Sequence, residues 1–407
     1  MIDLGKHPIW QGSSLFGYIN PFKKKMHILR FILARQYARL LPRQKFIGIT
    51  GTVGKTTTAA SCKEVLSDLG PVISTTDTSK QTANLDPIFN LPKTVLRVGP
   101  KVKKVILEMG IEYPGEMELW LSLVRPATAI VTAVNYAHSE FLGSIEQIAR
   151  EKGKLVEQLP KTGTAILNWD DSYCRKLAER TQAEVIYFGT DPKNCHVWAG
   201  NVKLDNFQVV FELNYGVERV EIQSNFVGKH QIYPLLAAAA LGIKEGLTLI
   251  KIKRALEKVK PPAHRLEVVA GHNGSVILDD SYNASPVAVE EAIDTLNYLP
   301  ARRRIVVLGE MKELGSYSEK FHRQVADKIY KDKVDLVFLG RGDTKYTADE
   351  LLKLGFFPER MESDLQTPQI VARLLKILAK GDLVLIKGSR GVRLDEVVKK
   401  LARRNLT

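Results

Sequence analysis

The chain contains 407 residues, of which 44% are hydrophobic, and carries a formal net charge of +14. This length exceeds that of one ordinary domain and predicts two or three, with the composition of a globular protein. The sequence has no apolar run of about 18 residues, so it predicts no transmembrane helix. Its opening residues, MIDLGKHPIWQGS, lack the features of a secretory signal, and its three scattered cysteines fit a reducing compartment without zinc spacing. We therefore expect a cytoplasmic protein.

A basic segment, FKKKMHILRFILARQYARLLPRQK, occupies residues 22–45 and holds eight lysines or arginines and no acidic residue. Ile28, Phe31, Ile32 and Leu40 fit a helix with one apolar side and a basic remainder. Two interpretations are open. The helix docks on the rest of the protein with a solvated basic face, or residues 22–45 make peripheral contact with an anionic membrane. No DNA- or RNA-binding motif accompanies the charge, so we predict no nucleic-acid partner.

Short apolar strands alternate with helical patterns in the next part of the chain. Residues 45–50 predict a first strand, which a glycine-rich loop and a helix follow. KKVILEMG (103–110), ATAIVTAVN (127–135) and GTAILNWDD (163–171) predict three more strands. Such alternation favours a parallel sheet covered on both faces. Residues 197–224 instead alternate apolar and polar side chains around two turn signals, which predicts antiparallel hairpins in the same domain.

A linker is expected at VKPPAHRLE, residues 259–267, because Pro261 and Pro262 cannot continue a helix. Four further strands follow, in GSVILDDSY, RRRIVVLGEM, VDLVFLG and GDLVLIKGS. We therefore predict a basic arm at 1–44, a nucleotide-binding domain at 45–260 and a second α/β domain at 261–407.

The glycine-rich stretch IGITGTVGKTTTAA, residues 47–60, predicts a phosphate-binding loop. Backbone N–H groups in such a turn, opening onto a helix N-terminus, can hold phosphates. Lys55 would reach the β- and γ-phosphates, and a hydroxyl of Thr56 or Thr57 would bind Mg²⁺. The common motif has glycine where this chain has Ile49, so the spacing is unusual. The predicted nucleotide contacts here are Gly51, Thr52, Gly54, Lys55, Thr56 and Thr57.

The loop GITGTVGKTTT resembles that of the Mur ligases, whose glycine spacing differs from the common motif by one residue. The resemblance extends from about residue 45 to 400 and is to the MurF branch. It covers ILEMGIEYPGEMELWLSLVRPATAIVTAVNYAHSEFLGS, EKGKLVEQL, AILNWDD and GKHQIYPLLAAAA, and then ILDDSYNASPVAVEEAIDTL, VVLGEMKELGSYSEKFHRQV and VLIKGSRGVRLDEVV. It implies an α/β fold, with a P-loop-type parallel-sheet ATP-binding domain followed by a Rossmann-like C-terminal domain.

The resemblance also implies a reaction, the ATP-dependent joining of a carboxylate to an amine. The carboxylate attacks the γ-phosphate to give an acyl phosphate and ADP, and the amine then displaces phosphate to form an amide. A MurF-like enzyme would add D-alanyl-D-alanine or a similar peptide to a peptidoglycan precursor, as a monomer. Two alternatives stay open: a MurF-like ligase for pseudomurein or a tetrapyrrole cofactor, and a non-catalytic ATP-binding partner.

Four residues would form the metal side of this site. Glu108 ends a predicted buried strand, where a carboxylate is costly unless a partner such as Mg²⁺ compensates it. By the resemblance, His138 is the metal-side histidine and Lys152 the lysine that Mur ligases carbamylate, which would bind a second Mg²⁺ ion. Thr56 completes the set. Lys152 also fits a solvated helix face, and Lys154 competes with it for the role.

The nucleotide base and ribose would contact residues from both predicted domains. Asn168 and Gln231 stand where the family approaches the base, and Asn283 is a further base-side candidate. Asp280 resembles the acid that holds the ribose hydroxyls, with its neighbour Asp279 as a competitor.

Two features of the C-terminal half would complete the catalytic site. Arg265 resembles the arginine that the C-terminal domain brings onto the ATP phosphates, so the predicted catalytic residues are Lys55, His138, Lys152 and Arg265. The KGSRG segment provides Lys387, Ser389 and Arg390, which would bind the incoming amino-acid or dipeptide substrate. The alternative for this segment is an exposed basic turn.

The sequence departs from the MurF pattern in regions that concern the acceptor substrate. A full MurF has an N-terminal domain that holds the UDP-muramoyl precursor, and we expect this chain to lack it because its nucleotide strand begins near residue 45. The substrate-facing loop carries NLD, residues 84–86, rather than paired asparagines, and Ala133 stands where asparagine is common. The identity of the carboxylate donor therefore stays open.

Overall fold

A computed structural model describes residues 20–79 and 86–403 of the chain. Residues 1–19 of the predicted basic arm, and Asn84 and Leu85 of the NLD stretch, lie outside the described residues. Within the described ranges the strands form two sheets, and no helix there is both long and apolar enough to cross a membrane.

The described chain begins with helix α1, Pro21–Ala38, whose N-terminus is capped by Asn20. The Asn20 side chain accepts a hydrogen bond from the Phe22 N–H at 2.9 Å, satisfying a donor that the helix itself leaves unpaired. On one face of α1, Phe31, Ala34 and Ala38 are buried in the core beneath the first sheet. The docked-helix interpretation is therefore confirmed for this face.

The first part of the nine-stranded sheet alternates strands with helices, as predicted. Its elements are β1 Phe46–Thr50, α2 Lys55–Leu66, β2 Val72–Ser74, α3 Thr75–Ser79, α4 Pro87–Leu96, β3 Lys104–Glu108, α5 Glu116–Leu123, β4 Thr128–Val131, α6 Ser139–Leu142, α7 Ile145–Glu157, β5 Thr164–Asn168, α8 Ser172–Lys176 and β6 Glu184–Gly189. Strands β2 and β6 were not predicted.

Strand β1 lies in the middle of this parallel region, between β3 and β4. All five of its residues are buried, because helices cover both faces of the sheet. Phe46 packs into the core on one face, whereas Ile47 and Ile49 pack into the core on the other. The strand therefore delivers the loop that follows Thr50 from a fixed position.

An antiparallel extension completes the first sheet, as the alternation at 197–224 predicted. Strands β7 Val197–Asp205, β8 Gln208–Tyr215 and β9 Glu218–Gln223 follow one another at its edge. The turns that join them use left-handed backbone, with φ of 44° at Asn206 and 58° at Gly216. Helices α9 Ile232–Lys244 and α10 Leu249–Leu256 then pack against the second core of this sheet.

The six-stranded second sheet follows the proline-containing linker. Its elements are β10 Glu267–Ala270, β11 Val276–Asp280, α11 Pro286–Tyr298, β12 Arg303–Leu308, α12 Ser318–Lys331, β13 Leu336–Gly340, α13 Thr344–Lys353, β14 Met361–Leu365, α14 Thr367–Ile377, β15 Asp382–Lys387 and α15 Asp395–Leu401. The strand order is β10-β11-β15-β12-β13-β14, parallel except for β10. The α/β class is confirmed, and the division at residues 260 and 261 stays a prediction.

The edge strands β10 and β14 were missed by the sequence analysis. The sequence of β14, MESDL, has no apolar run, and none of its residues is buried. Edge strands pair on one side alone and tolerate polar residues, so their local pattern is weak. The four strands that were predicted are the buried central ones, β11, β12, β13 and β15.

We predict that Phe31→Ala lowers the free energy of unfolding by about 3–5 kcal/mol, because Phe31 is fully buried in the first core. Leu33→Ala, on the exposed side of the same helix, should change it by no more than about 0.5 kcal/mol. Urea titration of both variants checks this, and equal effects would show that α1 is not part of the core.

Candidate active site

The candidate site lies where the carboxyl ends of strands from the two sheets meet. In the first sheet, β1, β3 and β5 end at Thr50, Glu108 and Asn168, and in the second, β11 and β15 end at Asp280 and Lys387. A cavity of about 440 Å³ opens between these ends and is lined by residues of both sheets. Ligands of parallel α/β sheets bind at this edge.

The cavity brings together most of the residues that the sequence analysis selected. Those that line it are Thr52, Gly54, Lys55, Thr56, Thr57, Glu108, His138, Asn168, Gln231, Arg265, Asp280, Asn283 and Lys387. Four selected residues lie outside its described lining: Gly51, Lys152, Ser389 and Arg390.

The glycine-rich loop adopts backbone conformations that require glycine. Gly51 has φ of 146°, and a Cβ atom there would lie 2.0 Å from the Thr132 hydroxyl. Gly54, at φ 77°, forms the N-cap of α2. The Thr52 hydroxyl donates to the Asn135 carbonyl and accepts from the Asn135 N–H, both at 2.9 Å. Thr52 thus holds the loop against the segment after β4, while the N-terminus of α2 faces the cavity.

Lys55 is the partly buried cation of the loop. Its ammonium donates to the carbonyl oxygens of Gly51 at 2.8 Å and Thr52 at 3.2 Å. Burial lowers the pKa of Lys55, and the nearby Glu108 carboxylate opposes that shift. The ammonium therefore lies within the loop that would hold a phosphate.

Glu108 is the buried anion facing this lysine. Its two carboxylate oxygens each accept from the Thr56 hydroxyl at 3.1 Å, and its own N–H donates to Thr75. Burial raises the pKa of Glu108, whereas Lys55 and Arg265 lower it. The described residues contain no group of three or more His, Cys, Asp or Glu suited to a metal ion. A carboxylate and a hydroxyl nevertheless fit Mg²⁺, which takes its other ligands from phosphates and water.

Lys152, on α7, lies behind the loop rather than in the cavity. It is 2% exposed, and its ammonium nitrogen donates to the Gly51 carbonyl at 3.2 Å. The interpretation of this residue as part of a solvated helix face is therefore wrong, because the polar EKGK pattern is covered by the loop. Burial, and then the charge of Lys55, hold the pKa of Lys152 well below its usual value. The competing Lys154 instead forms ion pairs with Glu118 and Glu151 outside the cavity.

His138 connects the two halves of the protein. Its Nδ1 lies 2.5 Å from the Glu313 carboxylate, and this contact lowers the pKa of Glu313. Beside it, the Glu140 N–H donates to the Glu313 carbonyl at 3.1 Å, and the Ser139 hydroxyl donates to the Leu314 carbonyl at 3.1 Å. Sequence reasoning missed Glu313, although it lies within the GEMKEL stretch that carries the family resemblance.

The two predicted base-side residues of the first half, Asn168 and Gln231, differ in how fully their side-chain amides are already hydrogen-bonded. The Asn168 amide donates to the Thr132 carbonyl at 2.9 Å and accepts from the Asp170 N–H at 3.0 Å, so it fixes the local backbone. The Gln231 amide nitrogen lies 3.2 Å from Nε2 of His230. His230 also lines the cavity, and burial lowers its pKa to about 3.

In the second sheet, Lys387 pairs with the predicted ribose acid. Its ammonium donates to the Asp280 carboxylate and, at 3.1 Å, to the Asn283 carbonyl. Asp279 is occupied by His264 at 2.7 Å and by the Ser281 hydroxyl at 2.6 Å, and it lies outside the described cavity lining. Asp280 is therefore better placed than Asp279 to meet a ligand.

The remaining predicted residues surround Tyr282. Arg265 lines the cavity with its guanidinium 4.1 Å from the centre of the Tyr282 ring, and the Arg390 guanidinium lies 5.7 Å from the same ring. The Ser389 hydroxyl accepts from the Lys312 N–H at 2.9 Å. Glu291, a cavity residue on α11 that no sequence motif marked, has its pKa raised by burial to about 8.

Comparison with known protein families identifies the family of this chain. The Mur ligase middle domain matches residues 49–242, and the Mur ligase glutamate ligase domain matches residues 264–390. The chain belongs to the Mur ligase family. Two similar curated proteins are UDP-N-acetylmuramoyl-tripeptide–D-alanyl-D-alanine ligases. The Escherichia coli K12 ligase is 30% identical over 360 residues, 88% of this chain and 76% of that protein. The Synechocystis ligase is 32% identical over 381 residues, 92% of this chain and 79% of that protein.

Solved Mur ligase structures share the fold. A MurF from Acinetobacter baumannii aligns with a TM-score of 0.81 at 22% identity, covering 92% of this chain and 80% of that chain. MurF from Thermotoga maritima, in complex with ADP, aligns with a TM-score of 0.79 at 24% identity, covering 92% and 83%. The predicted resemblance to the MurF branch is confirmed.

We predict that Gly51→Ala weakens ATP binding by at least about tenfold, because its Cβ would collide with Thr132 and its backbone conformation disfavours a side chain. Calorimetric titration with ATP measures the effect. The matched control is Gly110→Ala, beside the same loop, where the nearest heavy atom to a Cβ is 3.6 Å away. Equal affinity of Gly51→Ala and the unaltered protein would contradict the role of the loop.

Proposed function

We propose that this chain is an ATP-dependent carboxylate–amine ligase that adds D-alanyl-D-alanine, or a similar peptide, to a peptidoglycan precursor. Its curated relatives carry that activity in their names. The observation that carries the proposal is the cavity itself, where the glycine-rich loop, Lys55 and the Glu108–Thr56 pair meet Arg265 and Asp280 of the second sheet. In this proposal the first half supplies the loop, Lys55 and the metal-side groups, and the second half supplies Arg265 for the phosphates and Asp280 for the ribose.

Phosphate binding would use groups that the loop already orients. The N–H groups at the start of α2 and the positive end of its dipole suit the phosphate oxygens of ATP. Lys55 would exchange its bonds to the Gly51 and Thr52 carbonyls for bonds to those oxygens. A desolvated ammonium in this position stabilises the negative charge that develops during phosphoryl transfer.

Thr56 and Glu108 would hold a magnesium ion beside these phosphates. Bound Mg²⁺ would neutralise phosphate charge. The Nε2 of His138 would take part on the metal side while Nδ1 keeps its contact with Glu313 of the second half, which would fix the orientation of the ring. The histidine therefore links metal-side chemistry to the contact between the two halves.

Lys152 is suited to carbamylation because its lowered pKa favours the neutral amine. That amine would attack CO₂, forming an N–C bond and losing a proton to water. The product is an anion in place of the neutral amine beside Gly51, and it would hold a second magnesium ion.

The ligation would then proceed in two displacements. A carboxylate oxygen of the acceptor attacks the γ-phosphorus, and the bond from that phosphorus to the β-phosphate oxygen breaks, which releases ADP. The amine attacks the acyl carbon, the acyl carbon–oxygen bond to phosphate breaks, and the amine proton leaves to solvent. Enclosure of the cavity by both halves, with Arg265 on the second, would protect the acyl phosphate from water.

We predict that Lys55→Ala lowers phosphate release from ATP by at least about a hundredfold without unfolding the protein. The assay supplies Mg²⁺ and UDP-muramoyl-tripeptide, with and without D-alanyl-D-alanine. Lys63→Ala, in the same helix but outside the described cavity lining, is the matched control. Substrate-dependent release by Lys55→Ala at the normal rate would refute the phosphate-loop assignment.

The same assay tests the substrate. Release by the unaltered protein that needs both the tripeptide precursor and the dipeptide supports the wall-ligase proposal. Absence of release from protein shown to bind ATP would contradict this precursor and direct the search to other carboxylates.

We predict that Lys152→Ala loses activity and partly regains it when small carboxylic acids are added, because they replace the missing carbamate. Lys154→Ala is the matched control, because Lys154 lies two residues after Lys152 on the same helix and forms an ion pair with Glu118. This variant should stay active without added acid. Full activity of Lys152→Ala without any acid would exclude the carbamate.

A further inference from the structure

Helix α1 has two apolar faces, and one of them packs into the protein core. Phe31, Ala34 and Ala38 are buried against the first sheet. Four apolar side chains on the other side are exposed by 71%, 44%, 48% and 53%: Phe22, Met26, Leu29 and Leu33. Isolated exposed apolar residues are ordinary, but an aligned set on one helix face calls for a partner.

The exposed set forms a stripe directly opposite the buried face. Its spacings of four, three and four residues, at about 100° per residue, place the side chains within roughly 60° of one another. Phe31 lies about 180° from the first of them by the same measure. The stripe is about 17 Å long, given a rise of about 1.5 Å per residue. Ile32 and Leu40, also exposed, extend it.

Basic side chains border this stripe on both sides. Helical spacing places Lys23 and Arg30 along one border and Lys25 along the other. Lys23 and Lys25 are exposed and Arg30 is half-buried, and no acidic residue occurs anywhere between Pro21 and Lys45. An apolar stripe between two cationic borders is typical of a helix that lies in the surface of an anionic bilayer.

A groove of about 790 Å³ beside α1 adds further positive charge. It is lined by Arg35, Arg39, Arg43, Arg125 and Lys154, together with Glu118 and Glu157. Both acids are already paired, Glu118 with Lys154 and Glu157 with Arg180. The buried Nε of Arg35 has no hydrogen-bond partner among the described residues. The groove therefore adds positive charge beside the stripe rather than on its face, because Arg35 lies about 150° from the stripe centre by the same helical spacing.

The groove and the ATP cavity lie at opposite ends of the same strand. Phe46, the first residue of β1, lines the groove, whereas the cavity begins at Thr52, just beyond the last residue of β1. A surface that covers the groove would leave the cavity open.

We propose that the outer face of α1 docks on an anionic lipid bilayer, with the stripe at headgroup depth and the bordering Lys23, Lys25 and Arg30 against lipid phosphates. The helix lies along the membrane surface, because its other face is part of the protein core. Charge complementarity favours this occupant over a second copy of a chain that itself carries a net charge of +14.

Co-sedimentation of the full chain with vesicles tests the proposal. We expect binding to phosphatidylcholine vesicles that contain phosphatidylglycerol and little binding to phosphatidylcholine alone. Added salt should weaken binding, since screening already acts within about 8 Å at physiological ionic strength. Failure to bind the anionic vesicles would overturn the proposal.

Two quadruple variants separate the stripe from general surface hydrophobicity. Phe22→Ser/Met26→Ser/Leu29→Ser/Leu33→Ser should bind anionic vesicles at least about tenfold more weakly. The matched control is Val217→Ser/Ile250→Ser/Leu352→Ser/Phe357→Ser, which removes four exposed apolar side chains elsewhere. Both should melt at the same temperature as the unaltered protein, and equal loss of binding in both would contradict a specific docking face.

Further variants and a test of self-association distinguish a lipid bilayer from a second copy of the chain as the partner of the stripe. Lys23→Gln/Lys25→Gln should weaken binding to anionic vesicles, and Lys55→Ala should bind them normally, so the result is independent of the proposed ligase activity. Sedimentation velocity tests self-association. A dimer that the stripe variant converts to a monomer, without vesicle binding by the unaltered protein, would show that a second copy covers the stripe and would overturn the proposal.

Discussion

Charges of both signs that are largely withdrawn from solvent meet around the cavity at the seam between the two sheets, and each must be compensated there because the loss of hydration costs free energy. Lys55 is compensated by loop carbonyls, Glu108 by the Thr56 hydroxyl, and Asp280 by Lys387. The first two of these partners are groups that a phosphate or a cation could replace with stronger, charge-assisted bonds. The hydrogen bonds at the seam therefore compensate these charges without a ligand. A polyanionic ligand and its counter-ion can replace them.

Packing behind the loop determines where these charges lie. Gly48 in β1 lets α7 approach closely, since a Cβ there would lie 2.9 Å from Leu155. That approach places Lys152, on the same helix, within 3.2 Å of the Gly51 carbonyl. At the opposite end of β1, Phe46 packs into the same core as Phe31 of α1. The position of the loop thus depends on α1, which adds no residue to the described cavity lining, and on α7, which adds its first residue, Ile145.

Local patterns in the sequence were enough to predict the buried strands, the loop and the hairpins, because each depends on neighbouring residues. They were not enough for features that depend on distant contacts. The polar surroundings of Lys152 suggested exposure, but the loop buries it. Glu313 meets His138 across 175 residues, and no spacing rule could pair them. Glu291 lies on an ordinary amphipathic helix, so its place in the cavity followed from the fold alone.

The pairing of Lys387 with Asp280 changes how the KGSRG segment is understood. A carboxylate can accept about four hydrogen bonds, so Asp280 can hold this ammonium and still accept from ribose hydroxyls. Lys387 also donates to the Asn283 carbonyl, which fixes it beside the predicted nucleotide contacts rather than at the amine end of the cavity. Removing it would leave a buried carboxylate uncompensated, and such a group tends to protonate. The geometry therefore favours Lys387 as the residue that keeps Asp280 ionised for the nucleotide, and leaves Arg390, with its guanidinium near Tyr282, as the better candidate in this segment for meeting a substrate carboxylate.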